Sequence, residues 1–345
     1  PRSRWLAAAL LFVVVALAVA PFVFPGAKAL SVAAKTLVFI LLVASFDLLL
    51  GYTGIVSFAH TMFFGIGAYG VAVASTRLGP GFGPVLLGAA VALSLSLALS
   101  MLIGLFSLRV KAIFYAMITL AVASAFQTLA SQLSDVTGGE DGLTFKNPEV
   151  LSPSFEPFEN PVLGLAVDGK IFTYYLLFAA VVLLFLALLR IVNSPFGRVL
   201  QAIRENDFRA EALGYRTVYY RTIANCLAAG MAVLAGGLNA LWLRYTGPDT
   251  TLSFAIMLDI LLMVVIGGMG TMYGAVIGAT LFIVAQNYLQ KLMATASKAT
   301  EGIPLLPQLL HPDRWLLWLG ILFVLSVYFF PTGIVGKLRQ KKVAG

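Results

Sequence analysis

Ten apolar runs, each close to the thickness of a bilayer when helical, leave this chain few folds to choose from. They fall at roughly 5–24, 30–50, 54–75, 84–107, 111–133, 171–192, 217–243, 251–266, 271–290 and 314–331. A helix rising about 1.5 Å per residue needs about 20 residues to cross the hydrocarbon core. No water is available there, so every backbone N–H and C=O must be paired within the protein, and helices or closed barrels alone satisfy that. Continuous apolar runs of this length are helical rather than alternating-strand patterns. Only 11% of the 345 residues are charged and 60% are apolar, against about 25% charged in soluble domains. The prediction is an all-α polytopic membrane protein with about ten transmembrane helices, forming a single transmembrane domain over 1–345. The third and ninth runs are rich in glycine and the eighth is short, so these three are predicted to be broken, tilted or partly re-entrant. The first run follows Arg2 and Arg4 as a signal peptide would. It is long enough to span, however, and the Pro21-Phe-Val-Phe-Pro25 stretch is a poor cleavage site, so a membrane helix is expected.

Charge placement sets the orientation. The segment 134–170 carries Asp135, Glu140, Asp141, Glu149, Glu156, Glu159 and Asp168 against Lys146 and Lys170, with four prolines that predict an irregular loop. Basic clusters lie at Arg2 and Arg4, at Arg109 and Lys111, at Arg190 to Arg221, and at Lys337, Arg339, Lys341 and Lys342. Ten spans with both termini cytoplasmic put every basic cluster inside and the acidic loop, 134–170, in the periplasm, as the positive-inside rule demands. The net charge of +8 is therefore topological and does not point to nucleic acid. A single cysteine, Cys226, excludes an intramolecular disulfide.

Between the sixth and seventh spans lies a stretch too polar to cross and too ordered to be an idle linker, Ser194-Pro-Phe-Gly-Arg-Val-Leu-Gln-Ala-Ile-Arg-Glu-Asn-Asp-Phe-Arg-Ala-Glu-Ala-Leu-Gly214. Ser194 suits a helix cap, Pro195 the first helical position, and Gly214 a left-handed helix end. Val199, Ala202, Ile203, Ala210 and Leu213 recur near helical spacing among charges, predicting one or two short amphipathic helices on the membrane surface with these residues as their apolar face. The third span contains Gly65-Ile-Gly67-Ala-Tyr-Gly70, a formal match to the dinucleotide fingerprint. With no soluble βαβ unit around it, the match is false, and the glycines serve close helix approach or a helix break. In Asp259 to Gly278, Gly270, Gly274 and Gly278 form a repeated small-residue spacing that supports tight helix packing.

Three stretches together carry a family likeness: Gly51-Tyr-Thr-Gly through Phe63-Phe-Gly-Ile-Gly-Ala-Tyr69, the surface stretch 194–214, and Leu261-Leu-Met-Val-Val-Ile-Gly-Gly-Met-Gly-Thr271. They resemble the permease subunits of bacterial branched-chain amino acid ABC importers, the LivM type, over nearly the whole chain. Ala59 and Ala275 depart from it, where relatives often carry glycine and proline. The resemblance implies that 193–216 is a cytoplasmic coupling segment on which an ATPase docks, through Arg198, Ala202, Ile203, Arg204, Glu205, Asn206, Ala210, Leu213 and Gly214. It implies a related, LivH-like permease as partner, two ABC ATPase subunits, a periplasmic substrate-binding protein, and residence in the bacterial inner membrane. Thr137, Gly138, Gly139, Glu140 and Asp141, in an element similar to the family's, are the implied contact for the binding protein; the bland alternative is an acidic, solvated turn. The implied solutes are branched-chain or related hydrophobic amino acids, although relatives of this type also serve urea, amides and aromatic acids.

No phosphate loop, nucleophile elbow or zinc-ligand spacing occurs in the sequence, so no catalytic or metal site and no bound cofactor is expected, and ATP would be used by partner subunits. The informative polar residues are those within spans, where an ionisable group costs about 2.5–3.5 kcal/mol at a helix centre on insertion scales. Asp47, Ser57, His60, Thr61 and Asp259 are the candidates for a translocation path. They equally suit pairing or the capping of broken helix ends, and for the lone His60 a hydrogen-bonded packing role comes first. Gln127, Gln286 and Asn287 are weaker candidates of the same sort, and Lys35 is expected to snorkel from the end of its span. A rival reading is an ion-coupled secondary transporter or channel for a small polar solute, with Asp47 and Asp259 as cation sites. The organised surface segment separates the two, because such a transporter does not require it.

Overall fold

The computed structural model describes residues 4–23, 26–107, 112–155, 168–299, 311–329 and 333–340. Arg2, Arg109, Lys111, Glu156, Glu159, Lys341 and Lys342, invoked above for orientation, lie outside them. The main helices are α1 (Arg4–Val23), α2 (Ala27–Thr53), α3 (His60–Leu78), α4 (Phe82–Ser107), α5 (Ala112–Gln132), the single turn α6 (Ser134–Thr137), α7 (Gly169–Asn193), α8 (Pro195–Glu205), α9 (Asp207–Ala212) and α10 (Thr217–Leu243). After them come the turn α11 (Pro248–Thr251), α12 (Phe254–Gly267), α13 (Met272–Ala299), α14 (Trp315–Phe329) and α15 (Gly333–Gln340). Strands β1 (Leu143–Thr144) and β2 (Tyr245–Thr246) pair antiparallel, Leu143 opposite Thr246.

Among the described residues eight helical stretches are long and apolar enough to cross a membrane, the eighth-span stretch being Pro248–Gly267. Of the ten expected spans, α3 and the 15-residue α14 fall short of that measure. α3 nonetheless runs from one end of the bundle to the other. Gly54, before α3, lies against Arg204 of α8, while Arg77 at its far end donates to Asp135 O beside α6. The glycine-rich third span is interrupted as expected, whereas the equally glycine-rich ninth is not: α13 is continuous from Met272 to Ala299, because its glycines serve close packing against α12. The third span loses its first turns to a non-helical stretch and starts its helix at His60, and the eighth and ninth are separated by a turn at 268–271.

The core is α2. It is apolar on every face, and from Val32 to Thr53 all its residues but Lys35 and Leu50 are buried. Around it pack α10, α13, α7 and α12. Lipid is as apolar as leucine, so the helices are held by close packing of small residues rather than by exclusion of water. At Gly67 a side chain would meet the Val233 carbonyl, at Gly236 the Phe64 carbonyl, and at Gly278 the Met263 carbonyl. The α3–α10 and α12–α13 pairs are thus glycine-dependent contacts, and the false dinucleotide motif is a helix-packing face. Pro21 in α1 lacks the N–H that would bond Leu17 O four residues back. The Tyr174 hydroxyl of α7 donates to that oxygen at 2.5 Å, and Tyr175 donates to Ala18 O at 3.0 Å.

Candidate functional site

The surface segment forms as its residues dictate. Ser194 Oγ accepts from the Gly197 N–H at 3.5 Å, Pro195 takes the first position of α8, Asn206 Oδ1 accepts from the Arg209 N–H at 2.9 Å to start α9, and Gly214 has φ +91°. The segment is tied back to the bundle. Asp207 pairs with Arg221 of α10 at 3.0 Å, and the Thr217 hydroxyl donates to Glu211 at 2.7 Å.

Its most consequential tie is Arg204. Gly51 lies among the last four residues of α2, whose carbonyls have no partner within the helix. The Arg204 guanidinium donates through Nη1 to the Gly51 carbonyl, a cation at the negative end of α2. From the other side of Gly51 comes the turn between α12 and α13. There the Gly270 N–H donates to Asp47 Oδ1 at 2.8 Å, with Gly270 at φ +76°. A side chain at Gly51 would collide with both the Gly270 nitrogen and the Asp47 carboxylate, and one at Gly270 would press on Arg204 Nη1 at 2.9 Å. Gly51, Arg204 and Gly270, one from each of the three signature stretches, therefore meet at one point, with Asp47 one turn before the first. Asp47 is buried beside this junction.

The expected apolar docking face is corrected by the structure. Ile203 and Ala210 are 1% and 2% exposed, turned onto the chain's own spans, as is Leu200. Ala202 and Leu213 point outward, and so does Phe208, 86% exposed, which the helical spacing passed over. The reason is the change of direction at Asn206, extended at φ −158°, which ends one helical register and starts another. Arg198, Glu205, Asn206 and Gly214 are exposed beside them.

Ser57, His60 and Thr61 are buried at the start of α3. His60 Nε2 lies 2.8 Å from Ser45 Oγ and 3.3 Å from Leu42 O. The Ser45 hydroxyl itself donates to Leu42 O at 2.7 Å, so its oxygen accepts from Nε2–H. The ring also tilts against Phe46, 5.3 Å between centroids. These contacts tie His60 to α2. Asp259 is remote from Asp47 and belongs to a second polar group. Its Oδ2 accepts from Gln286 Nε2 at 3.4 Å, and Gln286 Oε1 accepts from Lys35 Nζ at 3.2 Å. Lys35 thus does not simply snorkel; it is held half-buried within the bundle.

At the opposite end from α8, Thr137 Oγ1 donates to Ala130 O at 2.5 Å and accepts from the Gly139 N–H at 3.3 Å, while Gly138 and Gly139 take positive φ. Thr137, Gly138 and Gly139 therefore build the turn, and Glu140 and Asp141 are presented outward from it. Tyr245 donates to Asp141 O at 3.0 Å, tying the turn to β2. Sequence reasoning missed the backbone members of the Arg204 junction, the Gly51 carbonyl and the Gly270 N–H. Their signal was the glycine at each position.

A family model described as the permease component of branched-chain amino acid transport systems matches residues 28–327. The chain is 26% identical over 295 residues to the high-affinity branched-chain amino acid transport system permease protein LivM of Salmonella typhimurium, covering 82% of this chain and 68% of that one, and matches LivM of Escherichia coli equally. A probable branched-chain amino acid transport permease protein LivM of Methanocaldococcus jannaschii is 26% identical over 237 residues, 66% of this chain and 61% of that one. No solved structure matches the chain. The family match spans most of the sequence and includes all three stretches that meet around Gly51, and the chain therefore belongs to the family of permease components of branched-chain amino acid transport systems.

Proposed function

We propose that the chain is one of two related permease subunits lining the pathway of an ABC importer in the bacterial inner membrane, carrying branched-chain or related hydrophobic amino acids. The observation that carries this is the junction at Gly51, where Arg204 of the surface helix pair grips the end of the core helix and Asp47 of that helix holds the α12–α13 turn. An ATPase seated on the outward side chains Ala202, Phe208 and Leu213 moves α8 and α9 as it closes on ATP. Arg204, with the Asp207–Arg221 pair, passes that movement to the end of α2, to the α12–α13 turn and to α10, which reorients the spans. The loop end faces the periplasm, both termini face the cytoplasm, and Glu140 and Asp141 offer charges to a delivering binding protein. Engagement of Asp47 with the Gly270 N–H supports a structural role over that of a free cation site in an ion-driven transporter.

The test is co-purification of the ATPase with tagged permease, alongside ATP-driven leucine uptake in proteoliposomes. Ala202→Glu and Phe208→Asp alter side chains that touch little of the chain itself, so yield and thermal unfolding should match the wild type. Each should lose bound ATPase and uptake, because an unpaired charge in an interface is costly. Full retention of both in both variants would return the ion-driven transporter to favour.

A further inference from the structure

A cavity of about 400 Å³ opens between α2, α10, α12 and α13 at the loop end of the bundle. Lys35 and Asp259 stand on its wall, with Val32, Phe39, Trp242 and Ile256 supplying apolar and aromatic surface. The two opposite charges make no direct ion pair. Gln286 lies between them, its Oε1 accepting from Lys35 at 3.2 Å and its Nε2 donating to Asp259 at 3.4 Å. Lys35 Nζ also sits 5.5 Å above the Phe39 ring.

An oxygen acceptor facing a lysine and a nitrogen donor facing an aspartate, carried on one small frame, is the polar pattern of an α-amino acid. The amide places the two atoms on one carbon; the zwitterion places them on two adjacent carbons, with a full charge on each. We propose that this cavity is a binding site for zwitterionic α-amino acids with apolar side chains. Lys35 receives the carboxylate, Asp259 receives the ammonium group, the aromatic and branched wall receives the side chain, and the Gln286 amide is the resident stand-in that the solute displaces. Half-buried charges of opposite sign that do not pair with each other gain most from a ligand that supplies both complements, since each charge-assisted bond outweighs a neutral one. The inference rests on the permease reading and adds to it that this chain recognises the solute itself, instead of passing whatever a binding protein delivers.

The site is tested in the assembled transporter in nanodiscs without binding protein, in a Cys226→Ser background, by thiosulfonate labelling at Ser31→Cys on the cavity wall. Leucine should slow labelling at a concentration lower by about tenfold or more than isocaproate, which lacks the amine, or isopentylamine, which lacks the carboxylate. In Lys35→Met, isopentylamine should protect as well as leucine does; in Asp259→Asn, isocaproate should. A misfolded chain cannot produce that exchange of preference. Equal protection by all three compounds in the unsubstituted site, or an unchanged preference in both variants, overturns the pocket. Leucine uptake by the wild-type assembly is the separate measure of the permease reading: uptake with no analogue preference sinks the pocket alone, and absence of ATP-driven uptake sinks the reading beneath it.

Discussion

Asp47 holds the turn before α13 through a single carboxylate oxygen, and the chemistry of that one atom makes a sharp prediction. Asp47→Asn keeps an acceptor for the Gly270 N–H, so ATP-driven uptake should stay within about threefold of wild type, whereas Asp47→Leu leaves the donor unpaired in a dry interior, at about 1–3 kcal/mol, and should lose most of it. Normal transport by the leucine variant would show that the bond carries nothing. Arg204→Lys offers a second comparison. Lysine keeps the charge but loses the planar fork, so ATPase should still co-purify while uptake per ATP hydrolysed falls severalfold. Unchanged coupling would remove Arg204 from the transmission. Asp47 was visible in the sequence as an ionisable group within a span, and Arg204 only as one charge among several in the surface stretch. Their partners were not, because a carbonyl and an amide nitrogen have no letter of their own, and only the glycine at each position hinted that chains crowd there.

Helix spacing predicted the surface pair and its caps at Ser194 and Gly214, and failed at its rotation. Periodicity counted straight through Asn206 treats two helices as one, and so Ala210 was grouped with Ala202 although one faces the bundle and the other faces outward. The difference separates two glutamate substitutions that the pattern alone would equate. Ala210→Glu buries a charge against the chain's own spans, costing several kcal/mol, and should lower yield and unfolding temperature before any partner is present. Ala202→Glu should leave both unchanged. Fluorescence-detected size exclusion of the isolated permease after heating distinguishes them, and equal stability would mean that Ala210 is not packed as described. At the α3–α10 contact, Gly236→Val drives a side chain into the Phe64 carbonyl and should reduce the folded fraction in the same assay, overpacking costing about 1–3 kcal/mol.

Across the whole molecule, the ten runs located the spans because hydrocarbon imposes one length on every crossing. The clearest exception is α13, which runs on to Ala299, well past the expected end. The two ends of the bundle can be assigned to sides of the membrane by impermeant thiol labelling in the Cys226→Ser background. Ser154→Cys, exposed at the loop end, should label in intact cells, and Gln201→Cys on α8 only after permeabilisation. Labelling of both from one side would reverse or break the topology. The Tyr174 hydroxyl has a further consequence, for the order in which the chain is made. Synthesis delivers α1 to the membrane 157 residues before the tyrosine that completes its proline-opened backbone. Until α7 arrives, the Leu17 carbonyl stands bare in lipid, and the first helix is the least settled part of the nascent chain. Nascent chains stalled before Tyr174 should therefore expose α1 to protease or release it from the bilayer, and chains stalled after α7 has inserted should not.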